Sequence, residues 1–248
     1  MNATPVEGCG TAVRAWNASR HLARVQSMLV RHLVPAGGRA VLVAPHPGAE
    51  VLAWGGLLQL LHREQRALLL ISLSNGIPHG QALRSRWTPE QLAIIRPLET
   101  AEALQRLGVP AADLQWVHGG FSAGNLNLQD DALQTFLGTY LHADDVVFST
   151  WREDGDADHE ACGRSTAAAC ATVGARFHEV PLDAWRWASP EDPRLPWERA
   201  RKLHLDRWAQ ARKRHAVQAF ASQLHGGSPA FSAPALARLQ QPFELVFL

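Results

Sequence analysis

Residues 39–50 read RAVLVAPHPGAE. The part from Arg39 to Ala44 is a short apolar run with a polar start, which is typical of a strand buried on both faces of a parallel sheet. After the Pro-His-Pro turn, apolar residues recur at helical spacing: Val51, Leu52, Trp54, Leu57, Leu58 and Leu61. The stretch therefore predicts one β–α unit, with His46 at the tip of its strand.

The same alternation of strand and helix recurs along the chain. Further strands are predicted at 68–73, 114–117, 145–150 and 177–182, with helices between them, a helix at 198–222 and a late edge strand at 243–248. Serial β–α units imply an α/β fold with a doubly wound, mostly parallel sheet and helices on both faces. Ligands of such sheets bind beyond the carboxyl ends of the strands.

Length and composition fit one globular domain. The 248 residues, 46% hydrophobic and 19% charged, predict a single domain over 1–248, with a leading helical segment at 1–36 and a core at 38–248. A net charge of +1 and the lack of a long apolar run argue against nucleic-acid binding and membrane insertion. Three cysteines without a CxxC pair, and a start unlike a signal peptide, predict a cytoplasmic protein. The oligomeric state stays open.

Polar residues at the predicted strand tips are the first candidates for chemistry. They are His46, Asn75, His118 and the run DGDADHE at 154–160. Loops at neighbouring strand ends converge, so His46 and His159 are expected to face each other, and His/carboxylate clusters suit zinc or a similar divalent ion. The alternative is a hydrogen-bonded structural histidine beside a solvated acidic loop at a helix start. Residue types alone leave both interpretations open.

Two motifs resemble those of a known family. PHPGAE at 45–50 is similar to the P-H-P-D-D-E motif of the LmbE/PIG-L deacetylases, and TWREDGDADHEA at 150–161 is similar to their W-R-x-D-G-H-P-D-H-x-A motif. Ser74-Asn75-Gly76 resembles the family's T-D-G turn. The resemblance, which spans about residues 38–248, implies a Rossmann-like fold and a zinc-dependent hydrolase that removes an acetyl group from an N-acetylated sugar.

The resemblance also implies a role for each matching position. His46 and His159 match two zinc ligands, and Asp158 matches the aspartate that orients the oxyanion-stabilising histidine. Three positions depart from the pattern: Gly48 stands at the general base, Ala49 at the carboxylate ligand, and Asp156 at the oxyanion histidine.

These departures predict a damaged site. A catalytic zinc usually has three protein ligands, so two imidazoles should bind zinc weakly or not at all. A missing general base removes roughly 10²–10⁴-fold of rate, and an anionic Asp156 would repel a developing oxyanion. One alternative is a rewired two-His, one-carboxylate metal site in which Asp156, or Glu50, replaces the lost carboxylate.

Three functions therefore remain as hypotheses. The first is a degenerate family member, a pseudoenzyme that binds a sugar-like ligand without hydrolysis, the second is an active deacetylase with the rewired metal site, and the third is a scaffold or partner-binding protein. Ligand contacts are expected from Asn75, Arg84, Arg86, Arg152 and Trp185, since guanidinium and aromatic groups suit phosphates, hydroxyls and sugar faces. The alternative for the tryptophan-rich segment is packing against the core.

Overall fold

The computed structural model describes residues 11–78, 86–225, 231, 236–237 and 241–248. Within these residues the strands are β1 (Gln26–Ser27), β2 (Arg39–Ala44), β3 (Ala67–Pro78), β4 (Gln115–Ala123), β5 (Val146–Thr150), β6 (Arg176–Val180), β7 (Ala200–His204) and β8 (Phe243–Phe247). The α-helices are α1 (Val13–Asn17), α2 (Arg20–Arg24), α3 (Val30–Leu33), α4 (Ala49–Arg63), α5 (Pro89–Leu107), α6 (Asp130–Gly138), α7 (Ala157–Val173), α8 (Ala184–Trp187), α9 (Arg207–Val217) and α10 (Ala221–Leu224). No helix of these residues is long and apolar enough to cross a membrane.

The eight strands form one sheet in the order β1-β7-β8-β6-β5-β2-β3-β4. All neighbours pair in parallel except β8, which is antiparallel to β6 and β7. Helices cover both faces, which confirms the predicted doubly wound α/β fold. Alternate residues of β2 explain why: Leu42 packs in one core cluster and Val41 in another, because successive side chains of a strand point to opposite faces.

The predicted helix over 198–222 is wrong in its first part. Residues Ala200–His204 form β7, which pairs with β8 along its whole length, and α9 begins only at Arg207. Asp206 caps that helix by accepting a hydrogen bond from the amide of Ala209. Local helical spacing missed β7 because pairing with a strand about forty residues further along decides its conformation.

The two ends of the described chain also differ from expectation. The leading segment contains three short helices and the strand β1 instead of one helix, because Gln26 and Ser27 pair with Arg201 and Lys202. The terminal strand β8 lies inside the sheet and is not an edge strand. The Glu244 carboxylate anchors it by accepting hydrogen bonds from the Gly56 and Leu57 amides and from Lys213 Nζ.

The sheet order positions the candidate site. Strands β2 and β5 are adjacent and parallel, with Val43 level with Ser149. The turn after β2 and the loop after β5 therefore leave the same edge of the sheet side by side. His46 follows β2, and His159 lies in the first turns of α7, which follows β5.

Candidate ligand site at the ends of β2 and β5

The structure brings His46 and His159 into direct contact. Their Nε2 atoms lie 2.8 Å apart. His46 Nδ1 is 3.2 Å from the carbonyl oxygen of Pro47, and His159 Nδ1 is 2.6 Å from Oδ2 of Asp154. Since carbonyl and carboxylate oxygens only accept, both Nδ1 atoms donate, which leaves the two Nε2 atoms to face each other.

The contact between the rings requires a further proton. Two neutral rings that both donate through Nδ1 would present lone pairs to each other at Nε2. Burial acts to lower the pKa of His159, but the hydrogen bond and charge of Asp154 outweigh it and raise that pKa above its usual value. Burial, together with the positive charge of His159, lowers the pKa of His46 to about 4. His159 is thus the ring that carries the proton and donates to His46.

Asp154 fixes the orientation of His159. Its buried side chain also accepts the backbone amides of Leu182, Asp183 and Ala184 at 2.7–3.0 Å. These three donors and the His159 ring satisfy a carboxylate that would otherwise be costly to bury. A histidine held through Nδ1 by a carboxylate presents its Nε2 in one direction, which is the usual arrangement of a metal-binding or acid–base imidazole.

The position of Gly48 is filled by another part of the chain. Gly48 precedes α4 with φ of 98°, a conformation that L side chains rarely adopt. A Cβ at this position would overlap the Cζ atom of Phe231, and two further ring carbons lie at 3.2 and 3.3 Å from it. Phe231 is itself buried and packs edge-on against Phe220. The space of a side chain at residue 48 is therefore occupied by an aromatic ring.

The next two positions do not supply a ligand for the histidine pair. Ala49 is buried at the start of α4 and offers a methyl group. Glu50 is also buried, but its carboxylate turns back to accept the Gly48 amide and the Thr100 hydroxyl at 3.0–3.1 Å. Burial raises the pKa of Glu50 to about 6. The Glu50 oxygens are thus committed to these donors in this structure, and Glu50 as a replacement ligand stays a prediction.

The two aspartates of the second loop have structural partners. Asp156 is the N-cap of α7: its Oδ1 accepts the amides of Asp158 and His159 at 2.9 and 3.1 Å. Partial burial raises the pKa of Asp156, but the charge of His159 and these amides lower it overall. Asp158 accepts the amides of Gly124 and Leu126, so it ties this loop to the segment after β4.

A three-ligand zinc site does not fit these residues. Within the described ranges, no group of three His, Cys, Asp or Glu side chains is placed to hold a metal ion. Two imidazoles on one tetrahedral zinc have nitrogens about 3.3 Å apart, from metal–nitrogen bonds of roughly 2.0–2.1 Å. The nitrogens here are 2.8 Å apart, which is the distance of a direct hydrogen bond. Two possible ligand nitrogens face each other, and the third ligand is missing because position 49 is an alanine.

One known family matches this chain. The sequence profile of the PIG-L family, described as GlcNAc-PI de-N-acetylase, matches residues 41–170, which is more than half of the chain. The chain belongs to the PIG-L family. The match contains both motif loops, with His46 in the first and His159 in the second.

Solved structures share the PIG-L fold of this chain. The A40926 pseudoaglycone deacetylase Dbv21 is 20% identical, with a TM-score of 0.63 over 84% of this chain and 96% of that one. The N,N'-diacetylchitobiose deacetylase of Pyrococcus horikoshii is 15% identical, with a TM-score of 0.53 over 81% and 73%. The 4-carboxy-2-hydroxymuconate hydratase GalB of Pseudomonas putida is 16% identical, with a TM-score of 0.51 over 82% and 83%. No protein of curated function matches the sequence. At these identities the likeness shows the fold alone, and one fold hosts different reactions.

The other predicted ligand contacts lie in varied surroundings. Asn75 lies within β3 and not at its tip, and its carbonyl oxygen accepts a hydrogen bond from Arg96. Arg86 is exposed with its guanidinium over the Trp87 ring. Arg84 lies outside the described residues. Arg152 is bound by the buried Glu179 carboxylate, which accepts from its Nε at 2.8 Å. Contact of these residues with a ligand stays a prediction.

Trp185 is packed against other aromatic residues. It is 7% exposed and packs edge-on against Trp16 at a ring-centroid distance of 4.8 Å. The Trp16 indole donates to the backbone carbonyl of Trp185. The Trp185 ring thus packs in an aromatic cluster in this structure, and its contact with a ligand stays a prediction.

Sequence reasoning assigned no role to three residues at this site. Asp154 was part of the candidate run 154–160, and it lies five residues before His159 in the second motif. Arg96 of α5 donates to the carbonyls of Asn75 and Gly76, and its positive charge acts on His46. Phe231 had no signal, because nothing in its local sequence connects it with Gly48, 183 residues earlier.

Proposed function

We propose that this PIG-L-family chain has lost the deacetylase reaction and binds a sugar-like ligand at the edge where β2 and β5 end. The observation that carries the first part is the environment of Gly48. In the family pattern this position holds the general base, and here a phenylalanine ring fills the space of its side chain. The loss of the base therefore involves more than a change of one residue, because the Phe231 ring is packed into the space at this position.

The losses at the neighbouring positions act in the same direction. Without a carboxylate at Ala49, a zinc ion would have two protein nitrogens as ligands, and the pKa of a bound water would not be held near 7. Asp156 places a carboxylate where the family pattern has an oxyanion-stabilising histidine, and its lowered pKa keeps it charged. A negative charge there raises the energy of a tetrahedral oxyanion instead of lowering it.

Retention of ligand binding is supported by the parts of the site that remain ordered. The series Asp154–His159–His46 is fully hydrogen-bonded and presents a positively charged imidazole at the sheet edge. Arg96 adds a second cation, and its Nε is buried without a hydrogen-bond partner among the described residues. The family description and the chitobiose deacetylase both name N-acetylated sugars. A polar ligand of that class could accept hydrogen bonds from Arg96, since both N–H groups of His159 are already used by Asp154 and His46.

A second candidate, the rewired metal site, is favoured by one specific observation. Only Oδ1 of Asp156 is used in the helix cap, and its other oxygen accepts no hydrogen bond from the described residues. The Asp156 carboxylate also interacts electrostatically with both His46 and His159. A small rotation of the three side chains would be needed to bring them around one ion.

The decisive experiment measures amine release. The full chain is incubated with an N-acetylglucosamine conjugate and added zinc, and free amine is quantified with an amine-reactive fluorophore. We expect no release above the protein-free rate. Release that disappears in both His46→Ala and His159→Ala would overturn the proposed loss of activity and support the rewired site.

Ligand binding needs a separate measurement. Binding of N-acetylglucosamine, followed by chemical-shift changes in the labelled chain, is expected at the amides of Asn75 and Gly76 and to weaken in His159→Ala. Arg106→Ala, on the far end of α5, is the matched surface control. Shifts that are absent at millimolar sugar, or unchanged in His159→Ala, would contradict the binding part of the proposal.

A further inference from the structure

A cleft that is separate from the histidine pair lies at the free edge of the sheet, several strands away from β2. The outermost strand there is β1, which pairs only with β7 among the described strands. The cleft has a volume of about 280 Å³ and lies between α2, β1 and the start of β7. Pockets for drug-sized ligands start at roughly 300 Å³, so this cleft suits a molecule slightly smaller than those.

Two arginines from different elements line this cleft. Arg24 ends α2 and is exposed, and no hydrogen bond or ion pair engages its guanidinium among the described residues. Arg201 lies in β7, and its Nη1 donates to the carbonyls of Glu198 and Ala200 at 3.0 and 2.8 Å. These bonds hold the Arg201 guanidinium in place, while its Nε and Nη2 keep donors without a described partner. The cleft thus presents two cations with unused donors.

Four other residues of the lining are held in place by burial or by contacts within the chain. Its floor includes the buried side chains of Val25 and Ala200. The Trp197 indole donates to the carbonyl of Asp192 at 3.1 Å, and the His21 ring stacks on Trp197 at a centroid distance of 5.4 Å. A preformed cleft loses less side-chain entropy on binding than one that must be assembled around its ligand.

We propose that this cleft binds a phosphate monoester of about the size of a hexose phosphate. Such a group carries a charge of about −1.5 to −2 at neutral pH, which matches the two guanidinium charges. The apolar floor of Val25 and Ala200 contacts the less polar face of the sugar. The Gln26 side chain also lines the cleft and can hydrogen-bond to the sugar hydroxyls. The exposed carboxylate of Glu198 also lines the cleft and offsets part of the charge of the two guanidinium groups.

Binding to the labelled full chain tests this proposal. Glucose 6-phosphate, inorganic phosphate and glucose are titrated separately at low ionic strength, and backbone and indole signals are followed. We expect saturable shifts at Val25, Gln26, Ala200 and the Trp197 indole with the phosphate ester, and weaker binding of the other two compounds. Signals of Asn75 and His159 report whether the ester binds at the other site instead.

Variants separate the cleft from general charge effects. Arg24→Gln and Arg201→Gln are each expected to weaken binding of the ester about tenfold or more, since each removes charge-assisted hydrogen bonds. Arg20→Gln, on the same helix α2 but outside the lining, is the matched control and should bind as the unchanged chain does. Absence of saturation by about 20 mM ester, equal affinity for free phosphate, or equal loss in all three variants would overturn the proposal.

Discussion

The Phe231 ring occupies the space that a side chain at Gly48 would need. The two residues are 183 positions apart in sequence, and the Phe231 ring lies against the turn that follows β2. This contact couples the C-terminal part of the chain to the position that holds the general base in the family pattern. It also determines what any attempt to restore that base must change.

The first prediction is that Gly48→Asp alone destabilises the protein. The positive φ and the overlap with Phe231 together should reduce the free energy of unfolding by about 2–4 kcal/mol. Phe231→Ala should cost about 3 kcal/mol by itself, through the cavity that it leaves. In the double variant the costs should be less than additive by about 1–2 kcal/mol, because the overlap is gone. Urea unfolding of the four proteins measures this, and strict additivity would show that the two residues do not interact.

The second prediction concerns Asp154. Replacing it with Asn keeps the shape of the side chain but turns an NH₂ group toward amide donors. We therefore expect the free energy of unfolding to fall by about 3 kcal/mol or more, which is the range for breaking a buried charged network. Thermal or urea unfolding measures the change. Glu153→Gln, at the neighbouring exposed position, is the control and should stay within about 0.5 kcal/mol of the unchanged protein. An equally small effect of Asp154→Asn would mean that the described hydrogen bonds contribute little.

The third prediction concerns the attachment of β8 through Glu244. Its carboxylate accepts two backbone amides of α4 and pairs with Lys213 at 2.6 Å, and both side chains are buried. Glu244→Gln removes the negative charge and turns an NH₂ donor toward groups that are themselves donors. We expect the free energy of unfolding to fall by about 3–5 kcal/mol. Glu64→Gln, an exposed glutamate just after α4, serves as the control in the same unfolding assay. Similar stability of the two variants would show that Lys213 and the α4 amides do not depend on this carboxylate.

The fourth prediction is a pH dependence that originates at His178 in β6. Burial, and then the charges of Arg176 and Arg199, lower its pKa to about 4 from the ordinary 6.5. Between these values the unfolded chain binds a proton that the folded chain does not, so stability is complete above pH 6.5 and falls as the pH decreases toward 4. The loss from this residue is at most about 3 kcal/mol.

Urea unfolding across this pH range measures that loss. His178→Gln should reduce the slope of stability against pH between 6.5 and 4, since it removes the titrating group. His32→Gln, which substitutes an exposed histidine of α3, controls for the substitution itself. Identical slopes for the unchanged protein and His178→Gln would exclude His178 as the source.

Much of the central sheet was predictable from local sequence. Strand β2 has the predicted bounds, and β5 and β6 each lie within one or two residues of them, because short apolar runs between turn residues fit strands that are buried on both faces. Strands β3 and β4 extend several residues beyond their apolar runs, since they pair with each other through an irregular register that passes Ser74 and Phe121. These extensions are polar, so no apolar pattern in the sequence predicts them.

The sequence by itself determined the fold class and the family motifs, and it placed His46 and His159 at the tips of predicted strands. These follow from residues close in sequence, whose periodicity and strand-end positions constrain a parallel sheet strongly. The tertiary structure alone decided that β7 is a strand, that β8 lies inside the sheet, that Glu50 turns away from the histidines and that Phe231 fills the space at Gly48. Each of these depends on a contact between segments that are distant in sequence. The energy of such a contact depends on which residues the folded chain brings together.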